Sequence, residues 1–324
     1  MSTPCPVAED LPEGKQHAGA RFAGRDLRGA DFAGADLSGA DLRRCDLRNA
    51  RLMGANLSGA DLRSADLRGA EFMQANLSGA KLDECRASST GFVGTTLAGA
   101  SFFGADLTHA ALAGANLTRC QLVRATLKNA RLREADLTEA DLRGADLSGA
   151  DLCKAEVGHA SFREADLRGA HLAGLRAFES ADFVQADIRD VDFSGAYLVR
   201  RVILDDNYLH EFRARSRLHA AIYALWWATS DCGRSLGRWA LFTAALTLAF
   251  GLGFTQLAVD YGSHPTWLSP YYFSLVTLTT LGYGDVLPAS AGAQALVMFE
   301  VVVGYMMLGG MISIFANKMA RRAE

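Results

Sequence analysis

Leucine or phenylalanine recurs every five residues from Phe22 through Leu27, Phe32, Leu37 and Leu42 to Leu172. A small residue such as Ala20, Ala30, Ala35 or Ala40 stands two places before it. A period of five fits no regular element. On a helix, five steps of about 100° carry the leucines round every face, and on a strand an odd spacing sends them to alternate faces. Only a chain that turns once per repeat keeps them all inside. The pattern therefore predicts a solenoid whose stacked coils bury one continuous core. It weakens at Ala87, where Ser88, Ser89, Thr95 and Thr96 add polarity. It slips by one residue between Ala173 and Ala181, after which Phe183, Ile188, Phe193, Leu198 and Ile203 carry it on. A loop or bulge at a corner is expected at the slip.

After Ile203 the pattern changes. From Tyr208 to Thr229, Leu209, Phe212, Leu218, Ile222, Leu225 and Trp226 are spaced by about three and four, which predicts a helix. Arg213, Arg215 and Arg217 make its first half basic, and Trp226 and Trp227 suit a membrane interface. Two readings stand side by side: an amphipathic helix on the inner leaflet, or a cap on the open end of the solenoid. Asp231 to Arg234 then breaks the helix.

Trp239 to Val259 is 21 residues without a charge. At about 1.5 Å per residue it spans roughly 31 Å, enough for a bilayer's hydrocarbon core. A second apolar segment runs from Gly292 to Ala316, with Glu300 as its one charge. Between them, Trp267 to Thr280 reads as a short re-entrant helix, with Ser269 as its cap and Pro270 in its first turn. Backbone that enters the membrane without crossing it is tolerated only where protein or water surrounds it. No Lys or Arg occurs from 239 to 317, whereas Arg234, Arg238, Lys318, Arg321 and Arg322 flank the two segments. The positive-inside rule then puts both termini in the cytoplasm of a multi-pass protein of the cell (inner) membrane. The expected boundaries are a disordered tail over 1–19, a cytoplasmic repeat domain over 20–204, a cap or interfacial linker over 205–238, a pore module over 239–318 and a cytoplasmic tail over 319–324.

Composition removes several alternatives. A net charge of −3 gives no ground for a nucleic-acid partner. Between residues 20 and 204 there are 25 acidic and 24 basic residues. That balance argues against a strongly acidic surface that would imitate DNA. Cys45, Cys85 and Cys120 stand in alanine places and read as small buried residues. No CxxC pair suggests zinc or a disulfide framework. The N-terminus, MSTPCPVAEDLPEG, lacks the basic and apolar regions of a signal peptide. His17, His109, His159 and His171 share no obvious spacing, and no nucleophile–base pair is visible, so the chain does not read as an enzyme. The Asp before each Leu is expected to bond nearby turn backbone.

The repeat resembles the pentapeptide-repeat family, A(D/N)LxX, over about 185 residues. That resemblance implies a right-handed quadrilateral β-helix of four pentapeptides per coil. About nine coils at a strand spacing of about 4.8 Å would make a column roughly 43 Å tall.

Thr277-Leu278-Thr279-Thr280-Leu281-Gly282-Tyr283-Gly284-Asp285 lies between the two apolar segments. Thr280 to Gly284 resembles the selectivity filter of potassium channels, TLGYG against the usual TVGYG. A dehydrated cation needs oxygen ligands, which a narrow filter supplies as rings of backbone carbonyls. Glycine permits the backbone conformations this requires. The resemblance to two-helix potassium channels covers about 80 residues. It implies an all-α membrane pore module with a re-entrant pore helix, closed by four copies of the chain. Thr280, Leu281, Gly282, Tyr283 and Gly284 would bind the permeant potassium ions, and no cofactor is implied. Thr279 and Asp285 flank the filter. Tyr272 and Phe273 match the family's pore-helix aromatic pair, and Tyr272 is within reach of a bond to Asp285. Val276 stands where some members carry a glutamate, and Leu281 replaces the commoner valine. Glu300 is costly in a membrane and is expected behind the filter. Gly304 matches the family's hinge glycine by spacing, though close helix packing accounts for it equally.

The function expected is a homotetrameric potassium channel with a regulatory or scaffolding repeat domain that offers a surface to a cytoplasmic ligand or protein. The alternatives are a weakly selective cation channel and a membrane-anchored interaction protein.

Overall fold

The computed structural model describes residues 15–320 except Arg234, Ser263 and His264. Residues 1–14 of the tail expected over 1–19, the flanking Arg234, Arg321 and Arg322, and residues 321–324 of the expected C-terminal tail lie outside the described residues. The chain divides into two compact units between His210 and Glu211.

In the first unit each pentapeptide forms one side of a coil. The central Leu and the small residue three places later both point inward, so Leu37, Ala40, Leu42, Leu47 and Ala50 are fully buried. A four-residue turn closes each side. Ala30 N donates to Leu27 O at 3.1 Å across Gly29, whose φ is 66°. The remaining backbone groups bond to the neighbouring coils: Leu27 N to Asp46 O at 2.7 Å and Asp46 N to Arg25 O at 3.0 Å. This satisfies the buried backbone without long strands. The result is a parallel β-helix, with bridges between residues twenty apart. One ladder climbs from Gln16 through Asp36, Asn56, Asn76, Thr96, Asn116, Asp136 and Glu156 to Arg176. His109 and His159 share the left-handed corner place, at φ 59° and 57°, so two of the histidines do have a common position.

Where Asp or Asn precedes the Leu, its side chain bonds the turn as expected. Asp36 Oδ1 accepts from Ser38 N at 3.0 Å and Asn56 Oδ1 from Ser58 N at 3.2 Å. Cys45, Cys85 and Cys120 are buried in alanine places. Burial raises all three thiols, Cys45 to about 11. Thr90 and Thr95 also fill alanine places, and their hydroxyls donate to Leu67 O and Phe72 O at 2.8 Å each.

Three features depart from the sequence expectation. The first coil begins before residue 20: Gln16 bridges Asp36, and His17 fills a leucine place with its ring edge-on to Phe22 and Phe32. The slip is a 3-10 turn at Phe178–Ser180 with Ala177 left-handed at φ 52°, after which bridge spacing becomes 21, as in Ser161 to Asp182. The repeat stops at Ala196, where helix α1, Tyr197–Ala214, begins. Val199 and Ile203 of α1 bury against the last coil, whereas Leu198, which keeps the five-residue spacing, is exposed. The start of α1 therefore caps the solenoid.

The second unit is helical. The single helix expected over Tyr208–Thr229 is two, α1 and α2 (Arg217–Ser230), separated where Ser216 caps α2 by accepting from His219 N at 3.3 Å. Asp231, Cys232 and Gly233 end α2 in left-handed backbone. Helix α3, Leu236–Thr255, is 20 residues long and α5, Ala291–Ala320, is 30; each contains a stretch apolar enough to cross a membrane. Between them lies α4, Ser269–Leu278. A two-residue antiparallel ribbon joins β1, Val259–Asp260, to β2, Leu287–Pro288. No periodicity or turn motif in the sequence pointed to this ribbon.

Candidate functional site

Helix α4 carries the segment from Thr280 to Asp285, and its packing explains that segment's placement. Gly251 of α3 lies against the Tyr271 ring so closely that a Cβ would overlap it. Phe254 of α3 meets Phe273 of α4 at 4.9 Å between ring centroids, in a small core with Phe250 and Val286. On the other side, Gly304 of α5 backs onto the carbonyl of Leu278, where a Cβ would also overlap. Glycine at 304 is thus required by packing against the last residue of α4.

The start of α4 differs from expectation. Leu268 holds the cap position without a side-chain bond, and Ser269 is the first helical residue. Ser269 Oγ instead accepts from Thr266 N at 2.8 Å, ahead of the helix. Pro270 follows in the first turn, where its missing N–H costs nothing.

The end of α4 sets the site. Leu281 N donates to Val276 O and Thr280 N to Thr277 O, both at 3.0 Å. This is the paired closure of a Schellman motif, whose left-handed residue is usually glycine. Here it is Thr280, at φ 60°. A β-branched residue in that region is strained. Positive φ then recurs at Gly282 (50°) and Gly284 (76°), alternating with Leu281 and Tyr283. Leu281 and Tyr283 are exposed in the single chain. Tyr272 Oη donates to Asp285 Oδ2 at 3.0 Å, tying α4 to the far end of the segment. Thr279 Oγ1 turns back to Leu275 O at 2.7 Å.

Glu300 of α5 is fully buried. Ser274 Oγ of α4 donates to its Oε1 at 2.5 Å, and Oε2 has no hydrogen-bond partner among the described residues. Sequence reasoning singled out Glu300 and missed Ser274. The signal was a small hydroxyl, shared only with Thr277, on the buried face of an otherwise apolar helix.

Comparison with known proteins separates the same two regions. The family model described as pentapeptide repeats matches in eight copies, in overlapping segments from residue 18 to residue 200. The model described as ion channel matches residues 241–321. Among solved structures, HetL is a pentapeptide repeat protein involved in heterocyst differentiation regulation, from the cyanobacterium Nostoc sp. strain PCC 7120. It is 31% identical, over 56% of this chain and 90% of its own, with a TM-score of 0.30. A pentapeptide repeat protein from the Arabidopsis thaliana thylakoid lumen is 26% identical over 56% of this chain and 91% of its own, with a TM-score of 0.22. QnrB1, a plasmid-mediated fluoroquinolone resistance protein, is 21% identical over 58% and 92%, with a TM-score of 0.48. No curated protein sequence matches significantly.

Proposed function

Because the chain belongs to the pentapeptide-repeat family and carries an ion-channel domain in its membrane-spanning part, we propose that four copies form a potassium-selective pore. In this reading α4 is the re-entrant pore helix and Thr280 to Gly284 the filter. The observation that carries it is the alternation of positive φ at Thr280, Gly282 and Gly284. Alternating left- and right-handed residues turn successive carbonyls toward one side of the chain. Four such segments around an axis make stacked rings of oxygens, which replace the water around a potassium ion. The C-terminal end of α4 adds the negative end of its helix dipole beside the entry to that row. The Tyr272–Asp285 bond and the buried Ser274–Glu300 contact brace the segment from behind.

Permeation is passive, down the electrochemical gradient, with no covalent step. Bending of α5 at Gly304 opens the cytoplasmic end. Both termini face the cytoplasm, as the absence of Lys and Arg from 239 to 317 supports, and the membrane is the cell (inner) membrane. The solenoid is then a cytoplasmic regulatory or scaffolding column.

The test is potassium flux into liposomes containing the purified full-length protein, with sodium-loaded controls and barium as blocker. Barium-sensitive flux that favours potassium is expected. Gly282→Ala or Tyr283→Ala should abolish the selectivity or the current while the tetramer persists by native mass spectrometry. Wild-type selectivity in either variant would overturn the filter assignment.

A further inference from the structure

The second unit holds an apolar cavity of about 500 Å³ away from the filter. Its walls come from three helices: Trp226 of α2, Trp239 and Phe250 of α3, and Phe299, Met306 and Ile314 of α5. Among the described residues, none that lines it is charged. The Phe250 and Phe299 rings, 6.0 Å apart, form part of its wall. Thr229 and Ser230 line it where α2 turns into α3. The slot is thus apolar along most of its wall.

Two observations make it a built feature. The α2–α3 elbow is pinned: the Arg238 guanidinium lies 5.1 Å over the Trp227 ring and 3.7 Å from Asp231 Oδ1. Gly310 of α5 faces Trp239, where a Cβ would come within 3.3 Å of the indole nitrogen, so glycine leaves room beside the ring.

The dimensions identify the occupant. From Trp239 to Phe250, α3 rises about 16 Å, which matches the hydrocarbon depth of one leaflet, about 15 Å. The volume lies within the few-hundred-Å³ range of small-molecule pockets. Water has no partners along such walls, and an empty slot forfeits dispersion contacts on every side. Methionines in the wall adapt to a flexible chain. We propose that this slot holds one acyl chain of a bilayer phospholipid, with the ester end toward the α2–α3 elbow, past Thr229 and Ser230, whose hydroxyls already donate to Leu225 O and Trp226 O. Because the wall on α5 runs from Phe299 to Ile314, on both sides of Gly304, occupancy sets how readily α5 bends and so how much of the time the pore conducts. This second step rests on the channel reading above.

Two variants test it in the full-length protein. Leu246→Trp fills the slot from α3. Ile222→Asp puts a carboxylate in the α2 wall, at a side chain already 45% exposed, so at least one variant is expected to fold. The protein is exchanged into lipid-free detergent and weighed by native mass spectrometry. The expected result is a phospholipid retained on each wild-type chain and lost from both variants. Wild-type protein that retains no more phospholipid than the variants overturns the site, as happens if a neighbouring subunit fills the slot. A retained mass matching a free fatty acid overturns the phospholipid assignment. In phosphatidylcholine–phosphatidylglycerol liposomes, both variants should change potassium flux several-fold with the potassium-to-sodium ratio unchanged. Lipid loss with unaltered flux overturns the regulatory step alone. A lipid difference with no flux from any protein leaves the slot standing and overturns the channel reading.

Discussion

Single residues in this chain work through what lies behind them. Ser274 and Glu300 meet inside the second unit, and that contact leaves one carboxylate oxygen without a partner among the described residues. Removing the hydroxyl by Ser274→Ala strips the other oxygen as well. An unsatisfied buried polar group costs about 1–3 kcal/mol, more if it is charged. Ser274→Ala should therefore lower the thermal stability of the purified protein clearly, whereas Glu300→Gln, which can still accept from Ser274, should change it little. Equal melting temperatures for the two variants would show that the contact does not brace α4. Thr280 is strained for a different reason, since it holds the left-handed place of a Schellman closure that glycine would fill more easily. The hydroxyl it keeps there is the group a glycine could not offer to an ion.

At the scale of the element, the coil corner is the unit of stability. Gly59 stands at φ 66°, and a Cβ there would meet nothing within 4 Å. Gly59→Ala thus isolates the backbone cost, about 1–2 kcal/mol for an L-residue in left-handed backbone. Ser64 holds the same kind of corner at φ 57°. Ser64→Gly should stabilise by somewhat less, since glycine also loses about 0.5–1 kcal/mol of unfolded-state freedom. Thermal unfolding of the solenoid, followed by far-ultraviolet circular dichroism, should show opposite shifts for the two variants.

The Asp–Arg ladder sets the pH dependence of the same element. Hydrogen bonds from Arg43 and Arg189 hold the carboxyls of Asp41 and Asp187 down at about 2, against an ordinary 3.8. A depressed folded value means that the contribution is present above about 4 and is lost as pH falls from about 4 through 2. Urea midpoints should therefore hold between pH 5 and 7 and fall below pH 4, and Arg43→Gln combined with Arg189→Gln should flatten that fall. An unchanged profile in the double variant would show that these two pairs do not contribute to the acid limit.

The coils were legible in the sequence because most pentapeptides repeat the same demand: a leucine or phenylalanine inside, often with an Asp or Asn before it to bond the turn. Legibility failed where two periods coincide. Phe193, Leu198 and Ile203 keep the spacing of five, yet Val199 and Ile203, four apart on α1, are the pair that buries. A helix that takes over from a solenoid in register leaves no break in the five-residue count. The segment from Thr280 to Asp285 stood out in the sequence because its glycines and threonines have few other uses between two apolar helices, and the proposed filter rests on it. The Gly251–Tyr271 and Gly304–Leu278 approaches that hold it depend on three-dimensional proximity, which spacing alone does not report.

For the whole molecule, the division between His210 and Glu211 has a functional consequence. Every partner of the proposed filter lies in the second unit: Phe254 and Gly251 on α3, Ser274 and Tyr272 on α4, Glu300 and Gly304 on α5. The solenoid core, by contrast, closes on itself through its backbone ladders and is capped by Val199 and Ile203. In the proposed channel, the residues described as bracing the filter all belong to the second unit, which predicts that ion selection survives without the repeats. A chain lacking residues 1–210 should still carry barium-sensitive potassium flux in liposomes, with the same preference over sodium as the full chain and a different open fraction. If the shortened chain fails to form tetramers, the solenoid is an assembly element. If it assembles but loses potassium preference, the filter depends on contacts outside the second unit, and the division of labour argued from its packing is wrong.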